Sequence, residues 1–226
     1  MFRNALVSAI ALAPIVGSTM AAASVPVNLI MNGSFEMGTA PGALGYSQLS
    51  AGNSAITDWT IAGDSIDYIS TYWTASNDSS RSLDLNGATT GKVQQQVSLT
   101  SGQQYLLNFD LAGNPDDAGD TKYMEVVITN GSTVSQTYSF DTTGNTRTDM
   151  GWVTESLLFT ADANANYTFT FASLDSGPYG PALDNVTLSA VPLPPAVILF
   201  GSALVGVTLL GRRRRGEKAA RWEAVA

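Results

Sequence analysis

The sequence predicts an all-β fold, an antiparallel β-sandwich, and three observations lead to that prediction. Apolar and polar residues alternate with a period of two over most of residues 24–190. Clusters of Gly, Asn, Asp and Ser separate the alternating runs, and no stretch there shows the apolar period of an amphipathic helix. Short strands joined by tight turns are typical of two antiparallel sheets packed face to face.

Six runs carry the alternation most clearly. In the first, Val93, Val97 and Leu99 alternate with glutamine and serine, which gives a strand one apolar and one polar face. Five further runs predict strands in the same way: 105–111, 124–128, 153–160, 167–171 and 183–189. Turn-forming residues mark the connections between them: Asn86-Gly87, Ser101-Gly102, Asn130-Gly131 and residues 142–145.

The N-terminal segment has the composition of a cleavable signal peptide. Arg3 supplies a basic start, Ala5–Val16 is a short apolar run, and Ala21-Ala22-Ala23 offers an A-x-A site. We therefore expect signal peptidase to cleave before Ser24, which makes residues 1–23 a signal peptide and residues 24–190 the β-sandwich domain. The alternative is a permanent N-terminal anchor, which the short apolar run and the small residues after it disfavour.

The segment after the domain is rich in proline. Proline restricts its own φ and the conformation of the residue before it, so such a segment cannot join the helix that follows. We therefore predict an extended, exposed linker that consists of Val191, Pro192, Leu193, Pro194 and Pro195.

An uncharged apolar run, Ala196–Leu210, comes next and ends at Gly211. A helix over residues 194–211 would span roughly 27 Å at about 1.5 Å per residue, which is enough for a thin bilayer. We expect the basic block after it to stay on the cytoplasmic side, with residues 216–226 as a cytoplasmic tail and the domain across the membrane. This block is Arg212, Arg213, Arg214 and Arg215.

Residues 191–215 together resemble the PEP-CTERM sorting signal of Gram-negative bacteria, which combines a short proline motif, a transmembrane helix and a basic tail. V-P-L-P stands here where that signal has P-E-P. The resemblance implies an inner-membrane-anchored precursor with a periplasmic body. It also implies that an exosortase, a membrane cysteine protease-transpeptidase, then delivers the body to the cell surface or extracellular matrix. The alternative is a plain C-terminal tail anchor.

The charge of the domain excludes one class of partner. The chain has a formal net charge of −8, to which Arg3 adds one positive charge and the tail beyond Gly211 a net four, so residues 24–190 carry −13. Nucleic-acid binding requires a basic patch, which the few basic residues of the domain cannot form. These residues are Arg81, Lys92, Lys122 and Arg147. Acidity of this kind suits solubility and the binding of divalent cations.

Two residue types are missing from the chain, cysteine and histidine. Without cysteine, disulfides and a lipidated cysteine anchor are excluded. Without histidine, Ser-His-Asp and Cys-His catalysis and the common zinc and copper sites are excluded. A carboxylate-pair glycoside hydrolase and an oxygen-ligated calcium site remain chemically open.

Motifs along the domain resemble a known family. Residues 28–36, N-L-I-M-N-G-S-F-E, are similar to the opening of DUF642-like and choice-of-anchor C domains, and residues 180–186, G-P-A-L-D-N-V, complete the set. Further segments match in order between them: 56–60, 82–87, 91–95, 102–109, 111–114, 151–152 and 159–161. The resemblance implies a galactose-binding-domain-like jelly roll that is related in architecture to carbohydrate-binding modules. It also implies an exported domain that associates with surface or matrix polysaccharide and is not an enzyme.

Three aromatic residues are the candidates for binding a glycan. Tyr68, Tyr72 and Trp73 lie in residues 68–78, a polar segment without clean alternation. Sugars present apolar C–H faces that stack on flat rings, while neighbouring amides and carboxylates bind their hydroxyls. The alternative is a surface loop whose rings cover the edge of the sandwich. Two other tryptophans lie in alternating patterns and are predicted to pack in the core, Trp59 and Trp152.

A structural calcium ion is a further expectation, and it rests on the family resemblance. Glu36 closes the first motif and Asp184 lies in the last, so each end of the domain brings a carboxylate, and Asn32 is a third candidate ligand. Calcium accepts about six to eight oxygens, and related carbohydrate-binding modules place one at this junction. The alternative is that Asp184 accepts hydrogen bonds from backbone amides and Glu36 meets a basic residue, without a metal.

An acidic segment, A-G-N-P-D-D-A-G-D, is a weaker metal candidate. Asp116, Asp117 and Asp120 lack the ligand order and the terminal glutamate of an EF-hand, which favours a solvated acidic turn.

Two function classes follow for the whole domain: an exported module that binds polysaccharide, and a structural surface protein that mediates protein contacts without sugar binding. A carboxylate-pair glycosidase is a distant third, because no catalytic motif is present.

Overall fold

Two antiparallel β-sheets face each other in the computed structural model, which describes residues 27–77, 79–117 and 119–192. The strands in these ranges are β1 (Tyr46–Ser50), β2 (Thr60–Gly63), β3 (Ser65–Ile69), β4 (Ser82–Asp84), β5 (Gly91–Leu99), β6 (Gln104–Gly113), β7 (Thr121–Thr129), β8 (Thr133–Asp141), β9 (Val153–Thr160), β10 (Ala165–Ser173) and β11 (Pro181–Ala190). One 3₁₀ turn, Pro115–Asp117, precedes β7.

The six-stranded sheet has the order β1-β3-β4-β11-β6-β9, and the five-stranded sheet has the order β2-β5-β10-β7-β8. Side chains on alternate positions point to opposite faces of a strand, so each sheet turns one face to the other sheet. Phe109 of β6 and Phe171 of β10 meet edge to face across this interface, with ring centroids 5.5 Å apart. Both rings are fully buried, and burial of each contributes about 1.5–3 kcal/mol to folding.

The predicted antiparallel β-sandwich is confirmed. Each of the six strands predicted from alternation lies within one of the observed strands β5, β6, β7, β9, β10 and β11, and the predicted turn residues lie between strands. The alternation did not single out β1–β4 or β8. Of the two tryptophans predicted to be core residues, Trp59 is buried, whereas Trp152 is half-buried and packs against the edge of the core.

The first motif lies beside the last strand. The N–H of Leu29 donates to the carbonyl of Leu188 at 2.8 Å, and the N–H of Val186 donates to the carbonyl of Gly33 at 2.9 Å. Strand β11 is thereby enclosed between the N-terminal segment and its sheet neighbours β4 and β6. The two ends of the domain therefore meet, as the sequence motifs predicted.

The predicted export and sorting segments fall mostly beyond the ranges that the structure describes. Residues 1–23, 194–211 and 212–226 lie outside them, so the signal peptide, the transmembrane helix and the basic tail stay predictions. Within the described ranges, no helix has the length and apolar character needed to cross a membrane. Of the predicted linker, Val191 and Pro192 are described, and the N–H of Val191 donates to the carbonyl of Gln104 at 2.8 Å.

Candidate binding cleft

Four aspartates line up on the outer face of the six-stranded sheet, one on each of four neighbouring strands. Because β3, β4, β11 and β6 turn their intervening apolar residues to the core, these aspartates point the other way. They are Asp67, Asp84, Asp184 and Asp110. Residues 70–77 and 79–81, here named the covering loop, bind two of them, Asp184 and Asp110, through side chains and backbone. The other two belong to a cleft.

This binding cleft has a volume of about 210 Å³. Pockets that bury drug-sized ligands measure about 300–1,000 Å³, so the cleft has room for a single ring of a larger ligand. Its walls combine aromatic rings with acidic and amide groups, and they consist of Tyr46, Asp67, Ile69, Tyr72, Trp73, Asp84, Asn114, Pro178 and Tyr179.

Two charged residues, Arg147 and Asp116, hold Tyr72 in place. The guanidinium of Arg147 lies 3.9 Å from the centroid of the Tyr72 ring and also donates to its hydroxyl. Asp116 accepts a hydrogen bond from the Tyr72 hydroxyl at 2.5 Å and two more from Arg147 at 2.7 Å each. Burial and the bond to Asp116 raise the pKa of Tyr72 to about 12. The hydrogen bonds from Arg147 lower the pKa of Asp116, so its carboxylate stays charged.

Gly45 sets the path of the chain that carries Tyr72. Its carbonyl accepts hydrogen bonds from the N–H of Ser70 at 2.7 Å and of Tyr72 at 3.3 Å. Its φ is +82°, and an added Cβ would lie 2.6 Å from the backbone nitrogen of Tyr72. Only glycine adopts this conformation without strain and permits this approach. The next residue, Tyr46, then meets Tyr72 edge to face, with ring centroids 5.0 Å apart.

Asp67 and Asp84 are direct partners across β3 and β4. Asp84 is 1% exposed, and its oxygens accept hydrogen bonds from the N–H groups of Asn86 at 2.9 Å and Gly180 at 3.1 Å and from the side chain of Asn114 at 2.8 Å. The Oδ1 atom of Asp67, by contrast, is buried and has no hydrogen-bond partner among the described residues. The cleft therefore contains one fully engaged carboxyl group and one that is not.

Burial raises the pKa of both carboxyl groups, to about 6 for Asp67 and about 8 for Asp84. For Asp84 burial outweighs the hydrogen bonds that it accepts, and the nearby charge of Asp67 raises its pKa further. Like charges directly opposite each other on neighbouring strands repel. Near neutral pH the pair therefore retains a proton, which belongs to the pair as a coupled unit.

Gly180 brings the segment that carries Tyr179 against the acidic pair. A Cβ at residue 180 would lie 2.7 Å from Oδ1 of Asp84 and 2.5 Å from Oδ1 of Asn86, closer than side chains tolerate. Glycine at this position lets the backbone N–H reach Asp84, and it leaves the Tyr179 ring 39% exposed at the cleft. Strand β3, strand β4 and the segment before β11 thus each bring a residue to the cleft.

The structure buries two of the three rings predicted to form a glycan platform, and glycan binding by the platform stays a prediction. Tyr68 is fully buried at the end of β3, and its hydroxyl donates to the carbonyl of Phe35 at 2.5 Å. Trp73 lines the cleft but is only 4% exposed, and its Nε1–H donates to Ser82 at 2.8 Å. Tyr72 is the one ring of the three that is only partly buried. The sequence patterns did not identify five lining residues: Tyr46, Asp67, Asp84, Asn114 and Tyr179. Two of these, Asp84 and Asn114, lie in the motif segments 82–87 and 111–114.

The predicted calcium ligands are engaged by hydrogen-bond donors. Glu36 accepts from the N–H groups of Ser80 at 2.7 Å and Arg81 at 2.8 Å and from the hydroxyl of Ser80. The N–H and O–H groups point at the oxygens that a cation would need. Glu36 thus binds the backbone of a basic residue, Arg81. The guanidinium of Arg81 donates instead to the hydroxyl of Tyr68 and the carbonyl of Gly38.

Asp184 is likewise occupied. It accepts hydrogen bonds from the N–H of Ser76 at 3.0 Å, the hydroxyl of Ser79 at 2.7 Å and the N–H of Asn185 at 2.7 Å, and burial raises its pKa to about 7. Asn32 bonds to Met37 and to the carbonyl of Thr57, which stabilises a turn. The part of the chain that the structure describes contains no group of three or more acidic side chains that could hold a metal. This arrangement does not fit calcium without movement of the covering loop, and the ion stays a prediction.

The acidic turn forms ion pairs with two cationic side chains. Lys122 is 2% exposed, and its ammonium group lies 2.7 Å from Asp117 and 3.0 Å from Asp120. Asp116 pairs with Arg147 at 2.7 Å. The turn is therefore ion-paired beside the cleft, and its Asp117 and Asp120 side chains are 48% and 60% exposed, which agrees with the solvated acidic turn that the sequence predicted.

The outer face of the five-stranded sheet offers a different kind of surface. Gln94 donates to Thr170 at 2.9 Å and Ser98 donates to Asn166 at 2.5 Å, so neighbouring side chains satisfy one another. A shallow depression of about 460 Å³ at one end has no aromatic or charged lining residue. The combination of rings and unsatisfied polar atoms that favours small-molecule binding is found in the cleft and not in this depression.

Comparisons with known proteins place the chain in a family and a fold. The family described as "Protein of unknown function (DUF642)" matches residues 28–189. Halomucin of Haloquadratum walsbyi is 32% identical over 165 residues, which are 71% of this chain but only 2% of that protein's length. Among solved structures, TmCBM61 in complex with β-1,4-galactotriose has a TM-score of 0.51 at 14% identity, covering 73% of this chain and 99% of its own. The arabinose-bound α-L-arabinofuranosidase MgGH51 has a TM-score of 0.50 at 14% identity, covering 74% and 27%. At these identities the two structures show a shared fold.

Proposed function

We propose that this chain, which belongs to the DUF642 family, is an exported, non-catalytic β-sandwich module that binds polysaccharide through the binding cleft. The observation that carries the proposal is the pairing of three cleft tyrosine rings, of which Tyr179 is exposed and Tyr46 and Tyr72 are partly buried, with a buried carboxylate oxygen that has no partner among the described residues. Flat rings stack on the C–H faces of sugars, and a carboxylate oxygen accepts hydrogen bonds from their polar groups.

A bound sugar would remove an unfavourable feature of the free protein. A buried acceptor without a hydrogen bond costs about 1–3 kcal/mol, and the free Oδ1 of Asp67 is such an acceptor. Because this oxygen is buried, a ligand group can donate to it only after the side chains around it move to admit the donor, and the bond then recovers that free energy. Tyr46, Tyr72 and Tyr179 would then pack against the ring of the same sugar unit, since all three line the cleft.

The geometry favours binding over hydrolysis. Hydrolysis by a carboxyl pair needs an acid that can reach the glycosidic oxygen. Asp84 has the higher pKa of the pair, but it is 1% exposed and three N–H groups hold its oxygens. The fold is shared with the module TmCBM61, which is described in complex with β-1,4-galactotriose, and this likeness supports a role in binding.

The test of this function is a glycan array probed with the purified full-length chain in a polyoxyethylene detergent, which has no sugar headgroup to compete for the cleft. We expect binding to at least one polysaccharide class and a loss of about tenfold or more in affinity in Tyr179→Ala. The matched control is Tyr123→Ala, because Tyr123 is similarly exposed, at 45%, on the outer face of the other sheet. If no glycan binds, the structural surface protein becomes the better account. If glycans bind but Tyr179→Ala binds like the parent, the polysaccharide binds outside the cleft and the cleft assignment is wrong.

The proposal includes the route of export. The N-terminal segment supports cleavage by signal peptidase before Ser24, and the V-P-L-P-P linker, apolar run and Arg212–Arg215 support processing by an exosortase at the inner membrane of a Gram-negative bacterium. Delivery to the cell surface or extracellular matrix would follow. In a host that has an exosortase, intact-mass analysis should give a C-terminus near residues 191–195. A mature protein that keeps Arg212–Arg215 there would instead indicate a tail anchor.

A further inference from the structure

The binding cleft has acidic groups but no basic one. Lys122 binds Asp117 and Asp120, and the guanidinium of Arg147 is engaged by Asp116 and lies over Tyr72. Neither cation is among the lining residues, whereas Asp67 and Asp84 both are. An anionic sugar in the cleft would therefore meet negative charge with no compensating cation, and the domain net charge of −13 would add long-range repulsion.

The free oxygen of Asp67 favours a cationic donor over a neutral one. A hydroxyl group would supply an ordinary hydrogen bond to this oxygen. An ammonium group would supply a charge-assisted hydrogen bond, which is roughly twice as strong. Its positive charge would also compensate the remaining negative charge of the pair formed by Asp67 and Asp84, which lie opposite each other on adjacent strands.

The aromatic lining of the cleft is compatible with a cation. Ring faces attract cations within about 6 Å of their centroid. Tyr72 already binds one in this way, because the guanidinium of Arg147 lies 3.9 Å from its ring centroid. Tyr46 and Tyr179 add two further rings beside the acidic pair, so a ligand that combines a sugar face with a positive charge meets a complementary surface.

Building on the proposed function, we infer that the sugar unit bound in the cleft carries a protonated amine, so that the polysaccharide contains free amino-sugar units. The amine forms an ion pair with Asp67, and the tyrosine rings pack against the sugar ring. A neutral sugar leaves the charge of the acidic pair uncompensated, and an acidic sugar adds to it.

The test compares three oligosaccharides that differ only at C2 of each unit: β-1,4-linked glucosamine, N-acetylglucosamine and glucose oligomers of equal length. Calorimetric titration of the full-length chain at pH 6.5 should give an affinity for the amine form about tenfold or more above that for the other two. Salt screens the long-range attraction between a cationic oligomer and this acidic domain, so the preference should decrease between 50 and 500 mM salt, while any binding of the glucose form should change little.

Asp67→Asn keeps the size of the side chain and removes its charge. We expect this variant to lose the preference for the amine form, with affinities for the three oligomers within about twofold. The control is Asp58→Asn: Asp58 is exposed and has a φ of +67°, a conformation that Asn also tolerates, and it does not line the cleft. This control should retain the preference, and thermal unfolding of both variants should show that they are folded.

Three results would overturn the inference: equal or tighter binding of a neutral or acidic glycan, an unchanged preference in folded Asp67→Asn, or a preference that Asp58→Asn also abolishes. Array signals that depend on Tyr179 but come only from neutral or acidic glycans would reject the amine and leave the proposed function intact. The absence of any Tyr179-dependent signal would reject both.

Discussion

The outer face of the six-stranded sheet has two halves that begin from similar residues and end in different states. On β11 and β6, the covering loop and its neighbours donate to both carboxylates. Asp110 accepts from Ser76 at 2.6 Å, Asn77 at 3.0 Å, Asn185 at 2.9 Å and Thr154 at 2.6 Å. On β3, Asp67 lines an open cleft, and its Oδ1 has no partner in the described part of the chain.

The difference shows how one sheet face can serve structure and binding at once. Where the chain supplies N–H and O–H donors, an aspartate anchors the covering loop, in addition to the buried apolar contacts of Trp73 and Ala75. Where tyrosine rings replace those donors, the aspartate keeps its hydrogen-bonding capacity for a ligand. The substitutions below test whether the two halves have these separate roles.

The largest contrast is expected in stability. Asp184→Ala leaves the N–H groups of Ser76 and Asn185 without their acceptor, whereas the hydroxyl of Ser79 keeps the carbonyl of Ser76 as an acceptor; unsatisfied buried groups cost about 1–3 kcal/mol each. We expect urea unfolding of the full-length variant to show a loss of about 3 kcal/mol or more. Asp67→Asn should be neutral or slightly stabilising, because it removes a carboxyl group whose ionisation burial disfavours. Equal losses in the two variants would mean that the cleft aspartate is also a structural anchor.

The second contrast is pH dependence. The pKa values of Asp84, Asp184 and Asp67 are about 8, 7 and 6, all above the ordinary value of 3.8. The folded state therefore binds more protons than the unfolded state between about pH 4 and 8, so the free energy of unfolding falls as pH rises through this window. Below it, the lowered pKa values of Asp116 and Asp162 have the opposite effect.

Calorimetric melting of the full-length chain from pH 4.5 to 8.5 measures this dependence. We expect the melting temperature to fall across the range, and Asp84→Asn to reduce the part of the fall above pH 6, since Asn cannot release a proton. A melting temperature that rises from pH 4.5 to 8.5, or a slope that Asp84→Asn does not change, would contradict the assigned protonation of the cleft.

The smallest effect concerns calcium. Donors from residues 80–81 already occupy Glu36, so an ion could bind only by displacing them. If the predicted site forms, calcium must raise the melting temperature, because it binds the folded state alone. The comparison is melting of the parent and Glu36→Gln in calcium and in EDTA. A calcium-dependent rise in the parent that Glu36→Gln lacks would establish the ion, and identical melting in all four samples would exclude it.

The later part of the fold was predictable from the sequence because its strands are long and alternate cleanly. Strands β5, β6, β7, β9, β10 and β11 each have eight to ten residues with apolar side chains at most alternate positions. Strand β4 has three residues and β2 has four, too few for a period to be seen. Strand β8 is an edge strand whose first five residues are exposed, so it has little apolar pattern to detect.

The binding cleft was less predictable, for a physical reason. Asp67 and Asp84 are 17 residues apart and meet only through the register of β3 and β4. Tyr179 and Asn114 join them from distant parts of the chain, and single-sequence patterns do not reveal such pairings. Tyr68 shows the opposite error: it belongs to the aromatic segment in sequence, but it is the last core-facing residue of β3 and is fully buried.

The most direct test of the account is a crystal structure of the protein with the tightest-binding glycan from the array. We expect one sugar unit in the cleft, packed against Tyr72 and Tyr179, with a nitrogen or oxygen donor within about 3 Å of Oδ1 of Asp67. A glycan bound instead along the outer face of the five-stranded sheet, beside Gln94 and Thr170, would contradict binding in the cleft. Recognition would then belong to the surface whose depression has no aromatic lining residue.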